Sequence, residues 1–319
     1  MKTNATLHER IHQVSPDRLR HDLFYLSHDP LPFRKVNYTR PDQTMHSLAE
    51  ADAFIRAQLE TAGWEVRETR HQVQAYRCDD TKPLHHWYAK PPETDPFYEV
   101  SNLEAVRPGR EHPEEIIQLI SHKDSMSWID SPGAHDNACG TTANLEIARC
   151  LAGYRPHRTL RILFCNEEHT PWTSRFAAEA AAARGDRIVA VLNQDSLCSK
   201  SDEDRAAGRA THCIAYSTEE GRTLAEHIER CARRYTPDLP ARGVHKKRVN
   251  DDEGKFILAG FPVAVMNQGS HPNADAQYHL PGDTPDRVDI ENLRLSTQLV
   301  LAAVLELDGM EQAFAPHVV

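Results

Sequence analysis

Apolar positions along this chain follow two periods. Over residues 15–27 and 46–63 they recur at helical spacing, for example at Leu48, Phe54, Ile55 and Leu59, and Gly63 can end the second run. Trp64-Glu65-Val66-Arg67-Glu68-Thr69 then alternates as a strand does. Pro83, Pro91, Pro92 and Pro96 break up residues 79–96, which reads as a surface excursion. From about residue 97, short apolar runs alternate with helical patterns. The runs at 115–121, 158–165, 187–193 and 262–266 predict buried strands, and 140–152, 174–184, 219–234 and 290–308 predict helices. This alternation predicts an α/β fold: a three-layer α/β/α sandwich around a mixed, mainly parallel sheet. In such sheets ligands bind outside the carboxyl ends of the strands, so the chemistry is sought there.

Composition narrows the function classes. The chain has 319 residues, 39 % of them apolar, with a mean hydropathy of -0.61. No stretch approaches the roughly 20 apolar residues of a membrane span. The first ten residues lack the apolar centre of a secretory signal, so a soluble, cytoplasmic protein is expected. The seven cysteines form no C-x-x-C pair, which argues against a disulfide scaffold and a thiolate zinc knuckle. The net charge of -10 disfavours nucleic-acid and anionic-membrane partners. The short basic run His245-Lys246-Lys247-Arg248 reads as a solvated loop.

Three of the predicted strands end in polar groups able to carry chemistry. The first runs into His122-Lys123-Asp124, the second into Asn166-Glu167-Glu168 and the third into Asn193-Gln194-Asp195. Between the first two lies Gly133-Ala134-His135-Asp136-Asn137-Ala138-Cys139-Gly140, and after the fourth strand comes Tyr278-His279 followed by Asp283-Thr284. With 19 histidines in the chain, each triplet alone carries little weight. Together they place carboxylates and imidazoles on one sheet edge, where like-charge repulsion and desolvation would be costly without a cation. Imidazole nitrogen with carboxylate oxygen suits zinc, with cobalt or manganese as substitutes. Five ligands exceed the need of one catalytic zinc, and a shared carboxylate between two ions resolves the count.

The five motifs in this order resemble the zinc-dependent exopeptidases that include secreted bacterial leucyl aminopeptidases and glutamate carboxypeptidase II. That pattern is H-x-D-S, G-A-x-D-N-x-x-G, E-E, N-x-D and Y-H…D-T, and the resemblance covers roughly residues 45 to 308. It implies a single metallopeptidase domain over 1–319, with N-terminal helices over about 15–63 and a catalytic core over about 97–308. By the same resemblance Asp136 bridges two zinc ions, His122 and Asp195 complete one site, and Glu168 and His279 complete the other. Glu167 falls at the general-base position and Asp124 at that of the carboxylate that orients a ligand imidazole. Asn137 and Gly140 shape the turn that aims Asp136. The implied reaction is hydrolysis of a peptide or amide bond in a small peptide or amino-acid derivative, with an aminopeptidase the first expectation. Oligomeric state is not legible.

Some residues depart from that pattern or stand outside it. Pro171-Trp172-Thr173-Ser174 replaces the usual Gly-Ser step. His135 and His169 are expected to be outer neighbours or exposed, not ligands. Asn250-Asp251-Asp252-Glu253 reads first as a helix cap and second as a contact for a substrate amine. Of Trp87, Tyr88 and Trp172, at least two are expected to be plain packing or surface residues. Arg175, Arg248 and Lys255 are the basic groups that could meet a substrate carboxylate. Three rival functions share parts of the pattern. An aminoacylase- or carboxypeptidase-type hydrolase needs a longer lid between the last two ligands than Asp195 to His279 provides. A glutaminyl-cyclase-like aminoacyltransferase keeps one zinc and usually has Ser where Asn137 stands. A non-catalytic binding domain would have lost ligands that are present here.

Overall fold

The computed structural model describes residues 2–314. The chain enters through helices α1 (Lys2–Ile11), α2 (Pro16–Ser27) and α3 (Ser47–Thr61). Ser15 caps α2, its hydroxyl accepting from Arg18 N, and Gly63 takes a left-handed φ of 77° just beyond α3. There follow β1 (Glu65–Ala75), the short strands β2 (Arg77–Cys78) and β3 (Tyr88–Ala89), then β4 (Tyr98–Arg107) and β5 (His112–His122). The remainder alternates: α4 (Cys139–Cys150), β6 (Arg158–Cys165), β7 (His169–Thr170), α5 (Thr173–Arg184), β8 (Arg187–Gln194), α6 (Asp202–Ala206), β9 (His212–Tyr216), α7 (Glu219–Tyr235), β10 (Ala241–His245), α8 (Asp251–Leu258), β11 (Ala264–Gln268) and α9 (Ile290–Asp308).

The main sheet has the order β10-β9-β11-β8-β5-β6-β4-β1-β7. Its centre, β11-β8-β5-β6, is parallel throughout, while β4, β1 and β7 add antiparallel on one side and β9 meets β11 antiparallel on the other. The predicted mixed sheet with a parallel core is therefore present. Side-chain alternation splits its apolar residues between two faces. Ile117 and Leu119 of β5, Leu160, Ile162 and Phe164 of β6, and Leu192 of β8 face a core closed by α2, α4, α7 and α9. Ile116 and Ile120, Leu163, Val191 and Ala264 face a smaller core closed by α5 and α8 through Ala178, Ala181 and Phe256. Helices thus cover both faces, and the long apolar α9 is buried along most of its length.

Several features depart from the sequence reading, among them β4, which no predicted strand covers. The five-residue strands β9 and β10 had no recognisable run, because His212 opens a short apolar stretch and Arg242 and Gly243 interrupt the other. The run His245-Lys246-Lys247-Arg248 is not wholly solvated: Lys246 is buried, and its ammonium meets Glu253 and, at 2.9 Å, Asp251. Among the described residues no helix is long and apolar enough to cross a membrane. All seven cysteines are free, six of them buried.

Candidate metal centre

Register sets the site. His122, the last residue of β5, lies beside Cys165, the last of β6, and Ile120 lies beside Asn193 of β8. Two residues further on, Asp195 is level with His122, while Glu167 and Glu168 leave β6 at the same edge. Asp136 enters from the irregular turn Ala134–Ala138 ahead of α4, and His279 from the loop after β11. The structure thus brings all seven sequence-predicted site residues to one edge of the sheet.

His122 Nε2 lies 3.0 Å from Asp136 Oδ1 and 3.6 Å from Asp195 Oδ1. His279 Nε2 lies 3.0 Å from Asp136 Oδ2 and 3.5 Å from Glu168 Oε1. Two three-residue groups result, His122-Asp136-Asp195 and Asp136-Glu168-His279, each with its ligand atoms within 4.8 Å of one another. Asp136 belongs to both, one oxygen turned to each histidine.

The donor set fits divalent cations. Asp136 Oδ1 and His279 Nε2 are buried without an aligned hydrogen bond, although each has a close neighbour. The electrostatics point the same way. Burial pushes Glu168 up to about 7 and raises Asp195, so the protein groups alone do not keep every carboxylate charged. Burial opposes charge on His279 as well, yet Glu168 and Asp136 drive it up to about 10, and three carboxylates raise His122 in the same way. The cluster therefore calls for positive charge beside Nε2 of both rings. A dication there would supply it and let both rings act as neutral nitrogen ligands.

Asp124 organises the surroundings. Its two oxygens accept the main-chain N–H groups of Glu167 at 3.0 Å and Glu168 at 2.8 Å. It also meets His122 Nδ1 at 3.3 Å and His169 Nδ1 at 2.7 Å. Burial works against its charge, but these imidazoles hold Asp124 well below the usual carboxylate range. Asp283 does similar work for Asp136, accepting from His135 N at 2.9 Å and Asp136 N at 3.1 Å. His135 and His169 are thus buried outer neighbours, as expected, and neither belongs to a ligand group.

Asn137 ties two ligand loops together. Its Nδ2 donates to Gln194 O at 2.8 Å, while its Oδ1 accepts from Gly140 N and Ser196 N. At Gly140 a Cβ would lie 2.2 Å from Gln194 O and 2.3 Å from Asn137 Oδ1. Gly140→Ala is accordingly expected to destabilise the fold by about 1–3 kcal/mol, read as a lower urea midpoint.

A cleft of about 170 Å³ opens onto the cluster, lined by Asp136, Glu167, Glu168, Asp195 and His279 together with Tyr76, His86, Tyr88, Trp172, Asn250, Asp251 and Tyr278. Glu167 Oε2 is buried there without a hydrogen-bond partner. Burial, then the nearby charges of Asp252 and Asp251, hold its carboxyl well above the ordinary range.

Several of these walls correct the sequence reading. Residues 79–96 are not a mere surface excursion, since His86 and Tyr88 reach the cleft. Tyr88 and Trp172 are both walls, and only Trp87 turns elsewhere, donating to Lys82 O. Asn250 precedes α8 but makes no side-chain cap, which leaves the cap reading unsupported there. Arg175 is exposed and paired with Glu179, and Lys255 lies over the Trp172 ring at 4.2 Å. Sequence reasoning missed Arg34 altogether. Its buried guanidinium, brought down to about 10 by burial, donates to the carbonyls of Leu26, Lys123, Pro132 and Gly133 and so braces the loops on either side of His122 and Asp136.

The family model described as Peptidase family M28 matches residues 102–304, a span that holds every residue of the cluster. The chain belongs to Peptidase family M28. The chain is similar to a "Probable aminopeptidase" of Saccharomyces cerevisiae, 29 % identical over 62 % of this chain and 55 % of its own length. Aminopeptidase YwaD of Bacillus subtilis is 26 % identical over 61 % of this chain and 41 % of its own. The chain spans about half the length of the curated relatives it matches. Among solved structures, the aminopeptidase from Aneurinibacillus sp. strain AM-1 superposes with a TM-score of 0.72 at 15 % identity, covering 97 % of this chain and 98 % of that one. A Bacteroides thetaiotaomicron glutaminyl cyclase reaches 0.68 at 14 % identity, covering 92 % and 98 %. At such identities the likeness shows the fold alone.

Proposed function

We propose that this M28 chain is an aminopeptidase that binds two zinc ions, one held by His122, Asp136 and Asp195 and the other by Asp136, Glu168 and His279. The observation that carries the reading is the pair of ligand groups sharing Asp136, with the unpartnered Glu167 carboxylate opening onto the same cleft. When bound, the two ions supply the positive charge that acidifies water and polarises a substrate carbonyl. The chain's own residues do the rest. Glu167 takes a proton from the attacking water and returns it to the leaving amine. Asp124 holds the main chain of Glu167 and the ring of His122 in place. The aromatic walls Tyr76, Tyr88 and Trp172 receive the side chain of the first substrate residue and exclude solvent.

The preference for an amino terminus follows from charge. Among the described residues that line the cleft there is no Lys or Arg, while five are carboxylates. A substrate carboxylate meets no Lys or Arg in that lining, whereas an ammonium meets carboxylates. Four of the five carboxylates belong to the metal ligands and the base, which leaves Asp251. Its backbone takes a left-handed φ of 62°, and its side chain is held by Asn250 Nδ2 at 2.9 Å and Lys246 Nζ at 2.9 Å. Asp251 is read as the contact for the substrate's ammonium.

The test is release of an amine from unblocked amino-acid amides and dipeptides, with N-acetylated versions alongside and zinc counted per chain. Two zinc ions and turnover of unblocked substrates only are expected. Turnover of the acetylated set, or one zinc per chain with cyclisation of an N-terminal glutamine, would replace this reading. Asp251→Asn is expected to raise KM for amino-acid amides about tenfold with little change in kcat, since a charge-assisted contact contributes roughly 1.5–3 kcal/mol and some of it survives in the amide.

A further inference from the structure

The two histidines of the cluster are oriented by different means. His122 Nδ1 faces a carboxylate, Asp124, on its own strand end. His279 Nδ1 instead donates to the main-chain carbonyl of His85, at 2.8 Å across 194 positions of sequence. His85 belongs to the tip of a hairpin whose base is the pairing of β2 with β3, Arg77 opposite Ala89 and Cys78 opposite Tyr88. The contact is reciprocal, because His85 Nδ1 approaches Tyr278 O at 2.5 Å. Two hydrogen bonds thus fasten the hairpin tip to the Tyr278-His279 step.

The local backbone serves this contact. His85 takes φ 72°, a left-handed conformation that non-glycine residues adopt at a cost. The base is tied down independently: Asp79 N donates to Trp87 O at 2.7 Å, and Arg77 grips Asp95 with two hydrogen bonds. Trp128 and Tyr88 then set their rings edge-on to the His279 ring, at 5.2 and 6.1 Å between centroids. With Nδ1 donating to the carbonyl, Nε2 is the nitrogen turned to Asp136 and Glu168. Metal-binding histidines depend on such a partner for tautomer and aim.

We propose that the hairpin is a positioning element for one of the two cation sites, with the main-chain carbonyl of His85 setting the affinity of the Asp136-Glu168-His279 site and leaving the other untouched. The inference rests on the reading that the two groups bind cations. It assigns a role to a segment whose prolines and exposure gave no sign of one.

Two substitutions separate the carbonyl from the imidazole. His85→Gly keeps access to positive φ and keeps the carbonyl, but removes the side chain. His85→Pro cannot adopt φ 72° and must move the carbonyl. Metal-free protein is titrated with zinc chloride in competition with a chelator, and cobalt(II) absorption is recorded for each equivalent added. For the natural sequence two equivalents are expected. His85→Pro is expected to keep one tight equivalent and weaken the second by about 10–100-fold, with an altered cobalt spectrum for that equivalent alone. His85→Gly is expected to restore the second site to within a few-fold of the natural value. Equal weakening in both variants, an unchanged second equivalent in His85→Pro, or parallel loss of both sites would each overturn the hairpin's role. Should the natural sequence bind no zinc, the two-cation reading itself fails, and this inference with it.

Discussion

Glu167→Gln is expected to lower kcat by about 10²–10⁴-fold while zinc content and the melting temperature stay near those of the natural sequence. Glutamine keeps the volume and one oxygen of glutamate but cannot take up a proton, so the variant isolates proton transfer from packing. The geometry makes the separation of effects sharp. Glu167 is not part of either ligand group, and the hydrogen bond that places it runs from its main-chain N–H to Asp124, which the substitution leaves alone. KM for an amino-acid amide should change little. The measurement is steady-state kinetics paired with metal analysis of the same sample. Full activity in Glu167→Gln, or a parallel loss of zinc, would remove the general-base role.

Asp136→Ala should have the second large effect, of a different kind. Each oxygen of Asp136 faces a different histidine, so its removal takes a ligand from both groups at once. Loss of both zinc ions is expected, with activity at background. Asp195→Ala or His279→Ala, by contrast, should spare one ion. Zinc should also stabilise the natural protein, by about 2.7 kcal/mol per site at a hundredfold excess over Kd, read as a higher melting temperature, and this increment should vanish in Asp136→Ala. Retention of one tightly held zinc in that variant would show that the carboxylate is not shared.

Much of this centre was legible in the sequence because its chemistry is compressed into short steps at the ends of strands. His122 with Asp124, and Glu167 with Glu168, sit next to long apolar runs, so the rule for parallel sheets places them at the ligand-binding edge. The central strands and six of the longer helices were legible for the same reason, since period and length agreed. What escaped notice had no signature in residue type. His85 acts through a carbonyl, which every residue possesses. Arg34 binds carbonyls spread over a hundred positions, so nothing near it in sequence hints at its burial. Lys246 sits in a basic run that looks solvent-facing, and only the fold reveals that Glu253 and Asp251 fold back onto it. The short strands β9 and β10 were lost because pairing, not composition, makes them strands.

The double acceptance by Asp124 has a consequence for how such a centre can change over time. Because one carboxylate fastens the peptide N–H of both Glu167 and Glu168, a shift that improves one of these residues drags the other with it. Natural drift or laboratory evolution toward new substrates is thereby channelled away from the reacting groups. It is left with the aromatic walls of the cleft, such as Tyr88 and Trp172, whose exchange leaves the shared anchor in place.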